Sequence, residues 1–280
     1  MLASPYTQPS PFIEKAAIMA SAKEEGDKMK TQDIKSKIGD LLRSEGVPIF
    51  GVSAAKQLER VPQDFSPQAL LPDVSSVIIY GIPIPKGIIY AKDNSLALFW
   101  RYCNMLYRTL DSISNKLCLF LENNGNSATP IYSCFPWKVV NREFWGPLPL
   151  VYWGEEAGIG RLAKCGLLVT PRYGTRILVG GAITTQELEP DEKLTEELCP
   201  PDCFKCIEVC PVSAIQMTGK VNHNACTRRS NANPLLTILL KDQSIKQDFS
   251  FETLLNTTAV DDHGMYTCFD CLKACPLNSN

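Results

Sequence analysis

Two cysteine runs limit what this chain can become more than any other feature. The first is Cys199-x3-Cys203-x2-Cys206-x3-Cys210-Pro211, and the second is Cys268-x2-Cys271-x3-Cys275-Pro276. Thiolates this closely spaced can grip the corner irons of one iron–sulfur cube, while the last cysteine before each proline faces away and suits a second cube. Two runs therefore imply two [4Fe–4S] clusters. Cys226, isolated between the runs, completes the ligand set: Cys199, Cys203, Cys206 and Cys275 for one cluster, and Cys210, Cys226, Cys268 and Cys271 for the other.

Zinc is the first alternative, since it too accepts four thiolates at C-x2-C spacing. A tetrahedral ion gives no reason for the same C-x3-C-P ending in both runs, however. Disulfides are the second, but 45% hydrophobic content provides a core that needs no staples. The first gap is one residue longer than in bacterial ferredoxins, and Pro200-Pro201 stiffen it. Cys210 to Ile215 adds the small-residue turn and apolar anchor of a ferredoxin half.

At 280 residues the chain has room for about two domains. A formal charge of −2 and no basic stripe beyond Arg228-Arg229 give no strong nucleic-acid signal. The first twenty residues lack a secretory or twin-arginine pattern, and no long apolar run occurs, so the expected location is the cytoplasm, where thiols stay reduced and serve metals.

Residues 1–30 read as a mobile leader with a short helix at 12–22. Ile34, Ile38, Leu41 and Leu42 recur at helical spacing and predict a helix over 31–45, stopped by Gly46. Val47–Ser53 and Val77–Pro83 predict strands, the second buried because its apolar run is continuous, with a proline-marked loop between them. The longest helix is expected over 95–124, its stripe running from Leu96 and Phe99 to Phe120. Cys103 and Cys118 fall on that helix as small core residues. Cys134 and Cys165 are read as non-ligands because the set of eight is complete without them. Further strands are expected at 128–132, 166–170 and 175–183, the last two hinged at Pro171–Gly174 in a hairpin-like turn. An acidic stretch from Gln186 to Glu197 reads as a linker, placing the domain boundary near 190.

Tyr132, Phe135, Trp137, Phe144, Trp145, Tyr152 and Trp153 crowd one irregular segment. Such a segment suits either a pocket wall around a large flat ligand or an irregular aromatic core. The Gly158-x-Gly160-x-x-Ala163 pattern formally fits a dinucleotide loop, but Pro147 and Pro149 spoil the preceding strand, and the next acid is Glu187.

Taken together, Ala157–Gly160, Lys164, the Leu167–Gly174 stretch and the cysteine series resemble epoxyqueuosine reductases and the related reductive dehalogenases, over roughly residues 35–277. The resemblance implies an α+β chain. Its parts would be a nitroreductase-like α/β domain at 31–190 that holds a corrinoid (cobalamin) and a bacterial ferredoxin-like double-cluster domain at 191–280. It matches the eight cysteines to cluster ligands, and Gly158, Gly160, Lys164, Arg172, Tyr173 and Gly174 to the corrinoid-side region. Paired glycines allow close backbone approach, and Arg172 could meet amide or phosphate oxygens, although a tight turn between strands explains the same residues.

Three departures from the family stand out. The Asp-Thr-Ala-Pro-like segment with a catalytic Asp is replaced by Phe135-Pro-Trp-Lys-Val-Val-Asn-Arg142, and neither a tRNA-embracing extension after Asn280 nor a twin-arginine leader is expected. His223 and His263 lie outside any corrinoid-ligand pattern and read as surface residues.

The expected activity is that of an iron–sulfur oxidoreductase fed by a low-potential donor of ferredoxin or flavodoxin type. Electrons would pass through the two clusters to a corrinoid or other planar cofactor and on to a small substrate other than epoxyqueuosine in tRNA. The alternatives are a cofactor-free electron-transfer protein that reduces a partner corrinoid or flavin protein, and a zinc-stabilised interaction module.

Overall fold

The computed structural model describes residues 33–133, 138–140, 143–230 and 268–279. The leader, Cys134 and His263 lie outside these residues. The first helix, α1, runs over 33–44 and ends where Gly46 takes a positive φ of 77°. The Gly46 N–H then reaches Arg43 O at 3.0 Å and the Val47 N–H reaches Leu42 O at 3.0 Å, satisfying carbonyls that the helix leaves open.

Four strands form one antiparallel sheet: β1 (Ile49–Ala54), β2 (Ser76–Pro83), β3 (Ala128–Ile131) and β8 (Ile177–Thr184). Their order is β1-β2-β8-β3, with Val52 opposite Ile78, and Tyr80 opposite Gly180. The continuous apolar run of β2 is buried as expected, and its alternation divides it between two layers. Ile78 and Tyr80 join α1 and the long helix α3 (Ser95–Asn123), while Val77 and Ile79 join Phe65, Trp153 and Ile159 on the opposite face. Burial on both faces is what a strand without polar alternation requires. The Tyr80 hydroxyl meets Leu110 O at 2.6 Å and Ser114 Oγ at 2.7 Å, so the phenol enters the core with its oxygen satisfied.

Phe99, Cys103, Leu106, Leu110, Ile113, Leu117 and Leu121 form the buried stripe of α3. Leu96 departs from expectation and stands exposed in the first turn, just after the left-handed Asn94. Short elements follow: α2 (Lys86–Ile89) before α3, then β4 (Lys138–Val140), β5 (Glu143–Trp145), α4 (Leu150–Glu156), β6 (Arg161–Leu162) and β7 (Leu168–Val169).

The hairpin expected between 166–170 and 175–183 does not form. Thr170 and Gly174 do exchange backbone hydrogen bonds across a tight turn, but β7 pairs back onto β6 whereas β8 enters the centre of the main sheet. The apolar run of β8 gains more by insertion between β2 and β3, where Ala182 and Ile183 are fully buried.

The acidic linker is lashed to the first domain. Asp191 pairs with Lys35 at 2.8 Å, accepts the Val52 N–H at 2.8 Å and donates its own N–H to Val52 O at 2.9 Å, covering part of the β1 edge. Lys193 reaches Glu156, and Arg161 reaches Leu194 O and Glu197.

Glu155 and Glu156 anchor that junction. Burial alone would push both carboxyls up, but the Leu162 N–H and Arg60 hold Glu155 below the ordinary range, and Lys193 and Lys56 do the same for Glu156. A lowered folded-state value stabilises the fold fully above the ordinary glutamate pKa of about 4.3 and loses that contribution as pH falls through the lowered value. Thermal midpoints measured from pH 7 downward should therefore fall in the acid range. Glu155→Gln should start lower at pH 7 and fall less steeply.

Cys206 lies on α5 (Lys205–Glu208), Cys226 on α6 (His223–Ser230) and Cys271 on α7 (Asp270–Ala274), with an antiparallel bridge between Ile215 and Val221. Phe269 stacks on Phe99 of α3 at 4.4 Å, and Asn278 accepts the Thr175 N–H at 2.8 Å while donating to Leu272 O at 2.6 Å. These contacts seat the cysteine module against the sheet domain.

Candidate metal centre and cofactor cleft

Short helical turns aim backbone N–H groups at the sulfurs. Cys210 Sγ accepts the Ala214 N–H at 3.2 Å, and Cys206, Cys268, Cys271 and Cys275 accept from Ile207, Asp270, Leu272 and Leu277 respectively. Such donors stabilise thiolate charge and help to set cluster potentials.

The folded chain also brings the separate runs together. Cys275, from the second run, has Cys199 and Cys203 of the first as its sulfur neighbours, and burial pushes its thiol up. Cys226 has Cys271, Cys268 and Cys210 around it, and burial pushes it up to about 12. Burial and the Asp270 carboxylate raise Cys268 to about 11. Cys206 is drawn down to about 6 by the Cys165 thiol beside it, assisted by N–H donors. Cys275 with Cys199 and Cys203, and Cys226 with Cys210, Cys268 and Cys271, make two groups of soft donors of the kind that suit iron–sulfur cubes, in which every thiolate binds its own corner iron. Cys206 lies beside Cys165 and Cys271. Among the described residues, no three His, Cys, Asp or Glu side chains gather in the way needed to hold one metal ion directly.

Sheet-domain residues 164–175 hold this module in place. Lys164 Nζ donates to Pro200 O and to Cys203 O and lies 5.5 Å from the Phe204 ring centroid. Thr175 offers its hydroxyl to the Cys275 sulfur. Gly174, at φ 57°, lies so close to the module that a Cβ would come within 2.5 Å of Asn278 Oδ1 and of Leu277 O. Gly158, at φ 71°, faces Glu192 O, and Gly160 faces Val169 O. Arg172 and Arg176 flank the Tyr173 ring.

Two clefts adjoin each other, the larger lined by both the sheet domain and the cysteine module and the smaller by the sheet domain alone. One, of ≈ 540 Å³, is lined by Arg60, Trp145 and Tyr152 together with Lys220, Val221 and His223. The other, of ≈ 280 Å³, includes Tyr107, Tyr132, Ser133, Leu167 and Val179, and both are bordered by Gly146, Pro149 and Val151. None of the six residues that the sequence assigned to the corrinoid side is among those lining either cleft. Sequence reasoning missed Arg60, Lys220 and His223 as cleft residues, because no local motif joins positions so far apart. The aromatic segment divides: Tyr132, Trp145 and Tyr152 border clefts, whereas Trp153 is buried in the core.

The walls suit a large, mostly apolar ligand with a few polar rim groups, and the larger volume is typical of such sites. Ala163, Leu167 and Val221 line the clefts and also pack in the cluster of side chains that holds Cys165, Cys199, Cys206, Cys210 and Cys271. Cleft and cysteines therefore share one wall.

No family model matches the chain. It is similar to the epoxyqueuosine reductase of Bacillus subtilis (strain 168), 31% identical over 124 residues, covering 44% of this chain and 28% of that protein. It is also similar to the epoxyqueuosine reductase of Listeria monocytogenes, 32% identical over 133 residues, covering 48% and 30%. The matched stretch thus spans less than a third of either relative. Among solved structures, a selenomethionine-labelled epoxyqueuosine reductase shares the fold at a TM-score of 0.58 and 20% identity, covering 89% of this chain and 67% of that one. A reductive dehalogenase whose structure is described as suggesting a mechanism for B12-dependent dehalogenation aligns at a TM-score of 0.51 and 17% identity, over 69% of this chain and 28% of that one. The expected resemblance to epoxyqueuosine reductases is present in sequence and in fold, and that to reductive dehalogenases in fold.

Proposed function

We propose, from this likeness to epoxyqueuosine reductases and reductive dehalogenases, that the chain is an iron–sulfur oxidoreductase that carries electrons through two [4Fe–4S] clusters to a corrinoid in the adjoining clefts and on to a small substrate. The observation that supports it best is the shared wall of Ala163, Leu167 and Val221, which line the clefts and pack in the same cluster as the cysteines. Cys199, Cys203, Cys206 and Cys275 hold one cluster, and Cys210, Cys226, Cys268 and Cys271 hold the other. Lys164 and Thr175 fix these loops to the sheet domain.

The apolar walls exclude water from a flat ligand's face, and Lys220 and His223 at the rim are suited to its amide or phosphate oxygens. When bound, a corrinoid supplies a cobalt centre that takes up electrons at low potential and delivers them to the substrate. A soluble ferredoxin or flavodoxin would supply the electrons from outside. Among the described residues, no helix is long and apolar enough to cross a membrane.

Anaerobic purification with iron, sulfide and cobalt analysis, followed by titration with cob(II)alamin, tests the reading. About eight iron per chain and a spectral change on titration are expected. Zinc alone would overturn the cluster assignment. Full iron with no spectral change would favour a protein that docks to a separate corrinoid or flavin partner.

A further inference from the structure

Cys165 belongs to neither ligand set, yet its side chain packs among them. It is 8% exposed, within the apolar cluster that also contains Cys206 and Cys271, and its thiol lies beside both of their sulfurs. Those two partners are not an arbitrary pair. Cys206 stands in Cys203-x2-Cys206-x3-Cys210-Pro, and Cys271 stands in Cys268-x2-Cys271-x3-Cys275-Pro, so each holds the same place in its own run. The two short helices that carry them, α5 and α7, pack against each other. Cys165 thus sits at the junction between equivalent halves, supplied by a domain outside both.

We propose that Cys165 is a positioning residue shared by the two clusters, whose single S–H donates to the Cys206 sulfur of one cluster or to the Cys271 sulfur of the other and thereby holds their reduction potentials apart. This rests on the two-cluster reading above. A thiol has one proton to donate, whereas two ligand sulfurs compete for it. Each reduction adds one electron from the external donor to one cube, and no bond in the protein forms or breaks. The extra negative charge spreads onto the thiolate ligands, so a hydrogen bond to one of them favours the reduced state and raises its potential. The cluster reduced first takes the S–H, and the second is reduced without it. Cys165 touches neither cleft, so its influence on substrate chemistry passes through the clusters.

Anaerobic dithionite titration followed by electron paramagnetic resonance, on parent, Cys165→Ala and Cys165→Ser proteins, tests this. In Cys165→Ala the iron content should stay near eight per chain. The more easily reduced cluster should lose about tenfold in its reduced-to-oxidised ratio at a fixed potential, about 59 mV for one electron. The other cluster should move less, so that the gap narrows. Cys165→Ser keeps an O–H donor and should restore most of the gap. An unchanged gap in Cys165→Ala with full iron would overturn the proposal and leave Cys165 a packing residue. Loss of about half the iron in Cys165→Ala would overturn it differently, by making Cys165 a ligand. Failure of the two-cluster reading is separable, because it would appear in the parent's iron content before any substitution.

Discussion

Replacing Cys275 with serine or alanine should remove about four of about eight iron atoms per chain, and the lost cluster should be the one held by the first run. Cys275 lies next to Pro276 in the second run, but its sulfur neighbours are Cys199 and Cys203. The Thr175 hydroxyl and the Leu277 N–H converge on the same sulfur, so the site is built for a thiolate that serves the distant run. Cys226→Ser should do the reverse and damage the cluster of Cys210, Cys268 and Cys271, whose sulfurs surround it. Iron analysis with electron paramagnetic resonance of each reduced variant distinguishes the two signals. Loss of the second run's own cluster in the Cys275 variants would invert the pairing. Because each run serves both clusters, damage to one loop should also loosen the other.

Gly158→Ala should lower the thermal midpoint by on the order of 10 °C. The residue holds φ at 71°, a conformation that costs an L side chain roughly 1–2 kcal/mol, and its Cβ would stand 2.2 Å from Glu192 O. That carbonyl cannot swing away, since it is backbone and the linker around it is tied down through Asp191 and Lys193. Overpacking of that kind adds about 1–3 kcal/mol, and each kcal/mol moves the midpoint by roughly 2–4 °C in a chain near this size. Circular dichroism melts of the cluster-loaded protein measure the effect. In the folded fraction, cob(II)alamin titration should be unchanged. A variant that melted like the parent but no longer responded to cob(II)alamin would show that Gly158 meets the cofactor rather than the linker.

The Gly158 case shows where local reading stops. Paired glycines announce that something approaches the backbone closely, and the approach is there, but the approaching group is the chain's own carbonyl at Glu192 or Val169. Lys164 is similar. The resemblance places it on the corrinoid side, and in the fold its ammonium donates to Pro200 O and Cys203 O in the first cysteine loop. The turn at Pro171–Gly174 was legible as a turn, because Gly174 and Thr170 are close enough in sequence to fix it. Which strands its two arms would join was not legible, since that depends on partners far away in the chain.

By itself the amino-acid sequence determined what short-range rules can reach. The helix stop at Gly46 follows from a residue free to adopt positive φ, and the buried stripe of α3 follows from helical periodicity. The two-layer burial of β2 follows from an apolar run without polar alternation, and the spacing of the thiolates comes from the cysteine runs. Tertiary structure alone decided which distant groups share a space. It inserted β8 between β2 and β3, folded the acidic linker onto the β1 edge, and gathered Arg60, Lys220 and His223 around one cleft. It also brought Cys165 from the sheet domain to the sulfurs of Cys206 and Cys271. The reason is physical: spacing and periodicity act over a few residues of backbone, whereas these contacts form only when burial of apolar surface brings remote segments together, and no local pattern encodes that.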